Sequence, residues 1–390
     1  MTHSRIGATV AAVVALALAG SAGADTIKVG VVAPFSGPFA MYGKQFKDAI
    51  AVYVAEHGSR AGDHEVQFIY KDTGGPNPEV AKSETQELLV KDGVSYLAGY
   101  VFTPEALAVA PLIDQAQVPT VIFNAATSII TTKSPYFIRT SFTLPQVSVP
   151  LADWAIGQGI KTVVTAVSDY GPGIDAEKAF TKEFEAKGGK VIDSIRMPIQ
   201  TADFSPFIQR IKTAAPNALF TFIPAGPPAF AFTKSYSDNG LKAAGIRFLG
   251  TGDVDDETSL QGLGDAALGI VTSYHYSAAH DSAANSAFKV GLAKVDPGAV
   301  ANFASVGAYD GTDVLYRMIA AGGTDADTAM KAVLGTHWES PRGPVTLDAK
   351  THHVTENVYI REVAKDATGQ LINKEIETIT AVPDLGVGSN

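Results

Sequence analysis

Polar or aromatic residues recur in this sequence where a β-branched run gives way to an amphipathic one. The clearest cases are Ser36-Gly37-Pro38-Phe39 with Tyr42, Phe102-Thr103-Pro104-Glu105, Ala125-Ala126-Thr127, Asp169-Tyr170-Gly171 and Gly250-Thr251-Gly252-Asp253. A helix start leaves N–H groups unpaired and carries the positive end of the helix dipole, so a hydroxyl beside it makes a site for an anion. The chemistry implied is capture of a carboxylate. Thr103 stands where such a hydroxyl belongs, although Thr-Pro-Glu is equally a helix start at which the hydroxyl serves only as a cap.

Bond-making chemistry finds no matching set of residues. There is no Gly-x-Ser-x-Gly elbow after the leader and no phosphate loop ending in Gly-Lys-Ser/Thr. His275 and His280 with Asp281, and His352-His353 before Glu356, do not have standard zinc spacing, and the chain has no Cys. Gly250-Thr251-Gly252 lacks the third glycine and the downstream acid of a dinucleotide turn. The expectation is a binding protein with no catalytic residues, no metal and no cofactor. Tyr274-His275-Tyr276 could line a cleft, although it reads first as a buried strand with a satisfied His, and Pro341-Arg342-Gly343-Pro344 reads as a hinge or surface turn whose Arg could reach an acid.

The elements that must position these residues alternate strand and helix, the pattern of a parallel sheet. Strands are predicted at 27–33, 66–70, 94–98 and 120–123, with helices over 42–57 and 78–91 and another starting at Thr103. The layout then begins again at Ile160: a strand over 160–165 runs into Gly171-Pro172-Gly173, followed by 219–223, a helix over 228–239 and a strand over 246–249. Two copies of one α/β architecture are implied, and ligands in such sheets sit beyond the carboxyl ends of the strands.

Length and composition agree with two folded domains: 390 residues, 46% hydrophobic and 18% charged. Met1–Arg5 carries one firm positive charge, residues 6–20 are almost wholly apolar, and Ala22-Gly23-Ala24 is a small-residue cleavage site, so residues 1–24 read as a signal peptide. A retained anchor is the competing reading, but the run falls short of the roughly 20 apolar residues that span a bilayer. Without Cys there is no lipidated terminus. Net charge is −10, and Arg5 is the only charge in the leader, which takes the mature balance to −11. Such a chain has no electrostatic reason to bind nucleic acid or an anionic membrane.

At its turns the sequence resembles the type I periplasmic solute-binding proteins of the branched-chain amino acid ABC importer family. The matching residues are Ser36-Gly37-Pro38 with Tyr42-Gly43, then 99–104, Ala125-Ala126-Thr127, Asp169-Tyr170-Gly171 and Ala308-Tyr309-Asp310, in order along nearly the whole chain. The resemblance implies two doubly wound parallel-sheet lobes joined by a three-crossover hinge, with lobe one at 25–144 plus 276–350 and lobe two at 145–275 plus 351–390. It also implies a periplasmic location and delivery of the ligand to ABC permease subunits.

By the same resemblance, Thr103 and Thr127 hold the ligand's carboxylate, the Ala125 backbone carbonyl also contacts the ligand, and Tyr170 closes on it from the second lobe. For Tyr170 the alternative is packing within its own lobe. Phe39, Tyr42 and Phe102 are candidates for an apolar wall, or for core packing of the first helix. Where the family has an acid for an amino-acid ammonium, this chain has Gly252, with Asp253 one place late, and Ala225 replaces an aromatic found in leucine binders. These departures leave two ligands open, a hydrophobic amino acid and an aromatic acid of benzoate or phenylpropanoid type. A soluble sensor of the same fold is the alternative to import; it would ordinarily be joined to a membrane span and a cytoplasmic module, and these 390 residues hold neither.

Overall fold

Residues 25–386 are described by the structure, a computed structural model. The expected leader at 1–24 lies outside them, as do the last four residues.

The first half is a six-stranded sheet. Its elements are β1 (Thr26–Ala33), α1 (Ala40–His57), β2 (Arg60–Ala61), β3 (His64–Asp72), α2 (Pro78–Glu87), β4 (Tyr96–Gly99), α3 (Thr103–Ala116), β5 (Thr120–Ile122) and β6 (Phe137–Arg139), in strand order β2-β3-β1-β4-β5-β6. All pairs are parallel except β2 with β3. Val29, Val31, Val32, Leu97, Ala98, Val121 and Ile122 are fully buried, as continuous apolar runs must be when helices cover both faces.

The second half repeats the design with α4 (Leu144–Gly157), β7 (Thr162–Ser168), α5 (Gly171–Ala186), β8 (Lys190–Met197), α6 (Ser205–Ala214), β9 (Ala218–Phe222), α7 (Pro227–Asp238), β10 (Arg247–Thr251), α8 (Glu257–Leu263) and β11 (Val271–Tyr274). Its parallel core runs β8-β7-β9-β10-β11, the counterpart of β3-β1-β4-β5-β6. The internal repeat read from the turns is therefore a repeat of topology. The order reverses direction at β1 and β4 in one sheet and at β7 and β9 in the other, which opens a crevice at those strand ends.

The chain then returns. Helices α9 (Ala283–Val295), α10 (Phe303–Gly322) and α11 (Ala326–Val333) join the first half, with α9 and α10 packing on α1 and α11 on α10. Strands β12 (His337–Ser340), β13 (Gly343–Leu347), β14 (Val354–Lys365) and β15 (Leu371–Val382) extend the second sheet to nine strands. The boundary expected at 350 would leave β12 and β13 with the first half, yet both are hydrogen-bonded, through β13 to β14, into the second sheet. These strands pair antiparallel, with register shifts in β14–β15, so neither helix periodicity nor the βαβ rhythm announces them.

Glycine sets one approach that matters for the cleft. A Cβ on Gly173, in the first turn of α5, would lie 1.8 Å from the Ser168 carbonyl oxygen, so only glycine lets this helix start dock against the end of β7. Replacing Gly173 with Ala should lower stability by about 2 kcal/mol, because the clash is with backbone that cannot swing aside. Urea denaturation checks this, and an unchanged midpoint would contradict the docking.

Candidate functional site

The two reversals face each other, and the residues singled out by sequence converge between them. Thr103, Thr127, Ala125, Phe102, Phe39, Tyr42, Ala225 and Asp253 are all buried. Tyr170 keeps some exposure as a residue while its hydroxyl end is enclosed.

Thr103 opens α3, but it is not the cap. Phe102 holds the cap position, the Glu105 carboxylate accepts from the Phe102 N–H at 3.3 Å, and the Glu105 and Ala106 N–H groups donate to the Phe102 carbonyl. The Thr103 hydroxyl instead pairs with the Thr127 hydroxyl at 2.8 Å. One proton is shared between two hydroxyls, so the other proton is free to donate. Thr103 is the first residue of α3, which leaves its N–H with no helical partner.

Two aromatic layers surround this pair. Phe102 stands edge-on to Phe39 at 5.0 Å and to Tyr42 at 6.2 Å, and Tyr42 meets Phe303 at 6.0 Å. Tyr274 packs edge-on to Phe142 at 4.8 Å and to Phe303 at 5.0 Å, while Tyr170 stacks on Phe222 at 6.0 Å. Such pairs add cohesion beyond the area they bury and give this space aromatic walls.

The halves touch across this space. A Cβ at Gly171 would sit 3.1 Å from the Thr127 Oγ1 and 3.4 Å from the Thr103 Cγ2, so the start of α5 faces the hydroxyl pair directly. The Ala225 N–H points at the Tyr42 hydroxyl, and Gly226 lies against Met41 and Phe39. The Ser128 N–H donates to the Asp175 carboxylate at 3.3 Å, and the Asn302 side-chain amide to Asp256 at 2.9 Å.

Asp253 lies in electrostatic reach of Tyr42, Tyr170 and Tyr274, and it accepts from the Thr251 hydroxyl at 2.8 Å. Burial pushes its pKa up to about 7, with the Thr251 and Tyr274 hydroxyls pulling the other way. All three tyrosines are raised well above the ordinary value, first by burial and then by this carboxyl. Position 252 could not supply the acid: a Cβ there would meet the Arg361 guanidinium and the Tyr274 ring at 2.3 Å.

Some residues escaped the sequence reading. Arg139 ends β6 in full burial, donates to the Ala125 and Thr127 carbonyls at 3.2 and 2.7 Å, and pairs with Asp384 at 3.4 Å. Its only signal was a charge closing an apolar strand, Phe137-Ile138-Arg139. Arg342 is no surface turn; it is wholly buried between Asp310 and Glu356, each within 2.8 Å. His275 is buried and stacks on Phe142 at 4.7 Å, and burial beside Arg342 and Arg361 keeps it neutral. The Phe303 backbone lies near it, yet neither ring nitrogen makes a well-formed hydrogen bond, so the satisfied histidine is not found. Among the described residues no group of three or more acidic or histidine side chains could hold a metal, and no helix is long and apolar enough to cross a membrane.

The raised pKa of Asp253 makes it a stability liability above its unfolded range. Its folded value exceeds the unfolded one, so the stability present below about pH 4 is lost as pH rises to about 7. Asp253→Asn should therefore raise the melting temperature of the ligand-free protein, by more at pH 8 than at pH 5. Melts of both proteins at both pH values check this, and an equal shift at the two would contradict it.

The periplasmic binding protein family model matches residues 26–369. The chain is 50% identical over 386 residues to Leu/Ile/Val-binding protein homolog 6 of Brucella abortus, covering 98% of this chain and 99% of that one. It superposes on an ABC transporter solute-binding protein from Rhodopseudomonas palustris solved with 4-hydroxybenzoate, at a TM-score of 0.92 and 52% identity, over 94% of this chain and all of that one. A second protein from that species, solved with 3,4-dihydroxybenzoic acid, matches at a TM-score of 0.89 and 44% identity, over 93% of this chain and 99% of that one. A hinge-type pair of doubly wound halves, an aromatic cleft at both topological reversals and a match across nearly the whole chain lead to one conclusion: this chain belongs to the periplasmic binding protein family, with the two-sheet α/β fold of its type I members.

Proposed function

We propose that this chain is the solute-binding component of an ABC importer, that it captures a one-ring aromatic acid of the 4-hydroxybenzoate class, and that it delivers this acid to membrane permease subunits. Residues 1–24 act as the export signal, so the protein works in the periplasm. The lobes are the two halves defined by strand pairing, with the last crossover before His337.

One observation carries the choice of ligand. Tyr170 sits beside both the hydroxyl pair and Asp253: its neighbour Gly171 faces Thr103 and Thr127, and its own hydroxyl is buried in the field of Asp253. A ligand with a carboxylate at one end of a ring and a hydroxyl at the other matches the same two poles. Thr103 and Thr127 take the carboxylate, Asp253 accepts from the ring hydroxyl, and Phe39, Tyr42, Phe102 and Tyr170 form the walls, with Ala225 making room.

An amino acid fits less well. Its ammonium needs a buried acid or several acceptors. Position 252 has no space for an acid, and Asp253 is hydrogen-bonded to Thr251 and pushed toward its neutral form. The relatives solved with hydroxybenzoates support the aromatic reading.

Closure follows from the split site. The first half presents the carboxylate clamp, and Tyr170 and Asp253 engage only when the second half arrives, so ligand shifts the population toward the closed form. Moving it from 1:99 to 99:1 takes a preference of about 5.5 kcal/mol.

Calorimetry with 4-hydroxybenzoate, benzoate and leucine tests this. The hydroxy acid should bind tightest, benzoate about tenfold weaker and leucine without measurable heat. Thr127→Val should weaken both acids at least about tenfold, and Tyr170→Ala should weaken them while leaving the fold intact. Because Asp253 accepts best when ionised, affinity for the hydroxy acid should rise from pH 6 to pH 8 while that for benzoate stays level. Leucine binding tighter than 4-hydroxybenzoate would overturn the proposal.

A further inference from the structure

We infer that Arg139 is a specificity-determining residue of the cleft: it touches no ligand, but through the Ala125 and Thr127 carbonyls it orients the carboxylate clamp and supplies the buried positive charge that selects an ionised acid over a neutral isostere. This rests on the reading that the ligand's carboxylate lies at Thr103 and Thr127.

The geometry fixes the loop from behind. The Arg139 Nη1 donates to both carbonyls, at 3.2 and 2.7 Å. In a planar trans peptide the carbonyl and the following N–H point in opposite directions. Two carbonyls turned toward the guanidinium therefore turn the Ala126 and Ser128 N–H groups away from it. The Ser128 N–H does point away, to Asp175 on α5. With that donor taken by Asp175, the Ala126 N–H is the one the loop leaves on the side opposite the arginine, as a carboxylate requires.

Arg139 is itself held on every side. Its Nε faces the His353 Nδ1 at 3.1 Å, and its Nη2 faces Asp384 at 3.4 Å. Asp384 also accepts from the Ser128 hydroxyl at 2.8 Å and from the Thr143 hydroxyl at 3.1 Å, so the tail after β15 closes over the same loop. Burial lowers the Arg139 pKa to about 10, with Asp384, Asp175 and Glu356 opposing, and it stays charged at neutral pH. His353 adds no charge, since burial beside Arg139 and Arg342 keeps it neutral. A guanidinium one peptide away from the clamp, shielded from water, acts on a ligand carboxylate far more strongly than a surface arginine would.

The roles of charge and scaffold separate when an acid is compared with its amide. Binding of 4-hydroxybenzoate and of 4-hydroxybenzamide should be measured by calorimetry for the wild type, Arg139→Gln, Arg139→Lys and Asp384→Asn. Arg139→Gln should reduce the acid-to-amide preference at least about tenfold, while Arg139→Lys weakens both ligands and keeps most of that preference. Asp384→Asn removes a negative charge that opposes the ligand, so it should tighten the acid several-fold and leave the amide unchanged, although the free protein melts lower. An undiminished preference in Arg139→Gln overturns the inference. If that variant does not fold, weaker or unchanged acid binding in Asp384→Asn overturns it. A wild type that binds neither 4-hydroxybenzoate nor benzoate removes the ligand reading itself.

Discussion

A doubly wound sheet reverses its winding once, and at the reversal the two loops leaving adjacent strands turn to opposite faces. The gap between them cannot be filled by either loop, so the strand ends there remain open. In this chain each half has one such gap, beyond β1 and β4 in the first and beyond β7 and β9 in the second. The cleft is what results when the two gaps are set against each other. Everything chemical in the molecule is placed by that constraint. Tyr42 follows β1, Thr103 follows β4, Tyr170 follows β7 and Ala225 follows β9.

A cleft made from two gaps must be dry when closed and yet hold polar groups, and the buried charges resolve that conflict. Three arginines, Arg139, Arg342 and Arg361, lie fully inside, each joined to carboxylates and backbone carbonyls. Isolated buried charges would be ruinous, and paired ones are at best neutral for stability. Their use is positional: Arg342 ties α10 to β14 through Asp310 and Glu356, and Arg361 ties β14 to the loop after β10 through Asp255 and Glu257. Each arginine thus fixes the loops and strands it joins, whatever the two halves do relative to each other.

The alternation of strand and helix was legible because burial writes itself locally as periodicity, and the repeat was legible because the same turns recur at the same strand ends. Turn chemistry, which is local, pointed to Thr103 at its helix start, while Ala125, Thr127, Tyr170 and Asp253 were named through the family resemblance. What stayed hidden depends on partners far along the chain. Arg139 acquires its role from His353 and Asp384, more than 200 residues away, and β12 and β13 acquire their sheet from β14. Even the cap of α3 shifted by one residue, because Glu105 reaches back to Phe102 and frees the Thr103 hydroxyl for Thr127, a pairing that depends on where β5 lies beside β4. Sequence records which face of an element is covered, and says little about what covers it.

The acidic loop after β10 shows how the proposed site would keep one acid for the ligand. Asp253, Asp255, Asp256 and Glu257 crowd into five positions, and all are buried. Arg361 claims Asp255 and Glu257, and Asn302 claims Asp256 across the cleft. Asp253 has no cationic or amide partner of that kind, accepting from the Thr251 hydroxyl and acting on all three tyrosines. With Gly252 pressed against the Arg361 guanidinium, this loop travels with the second sheet, while the hydroxyl pair travels with the first. The two poles of the proposed ligand are then read by different halves. An acid without a hydroxyl can occupy the clamp but gives the second half less reason to close. Under the proposed function, discrimination is thereby moved from binding to closure, and the closed form is the one a permease would distinguish from an empty protein.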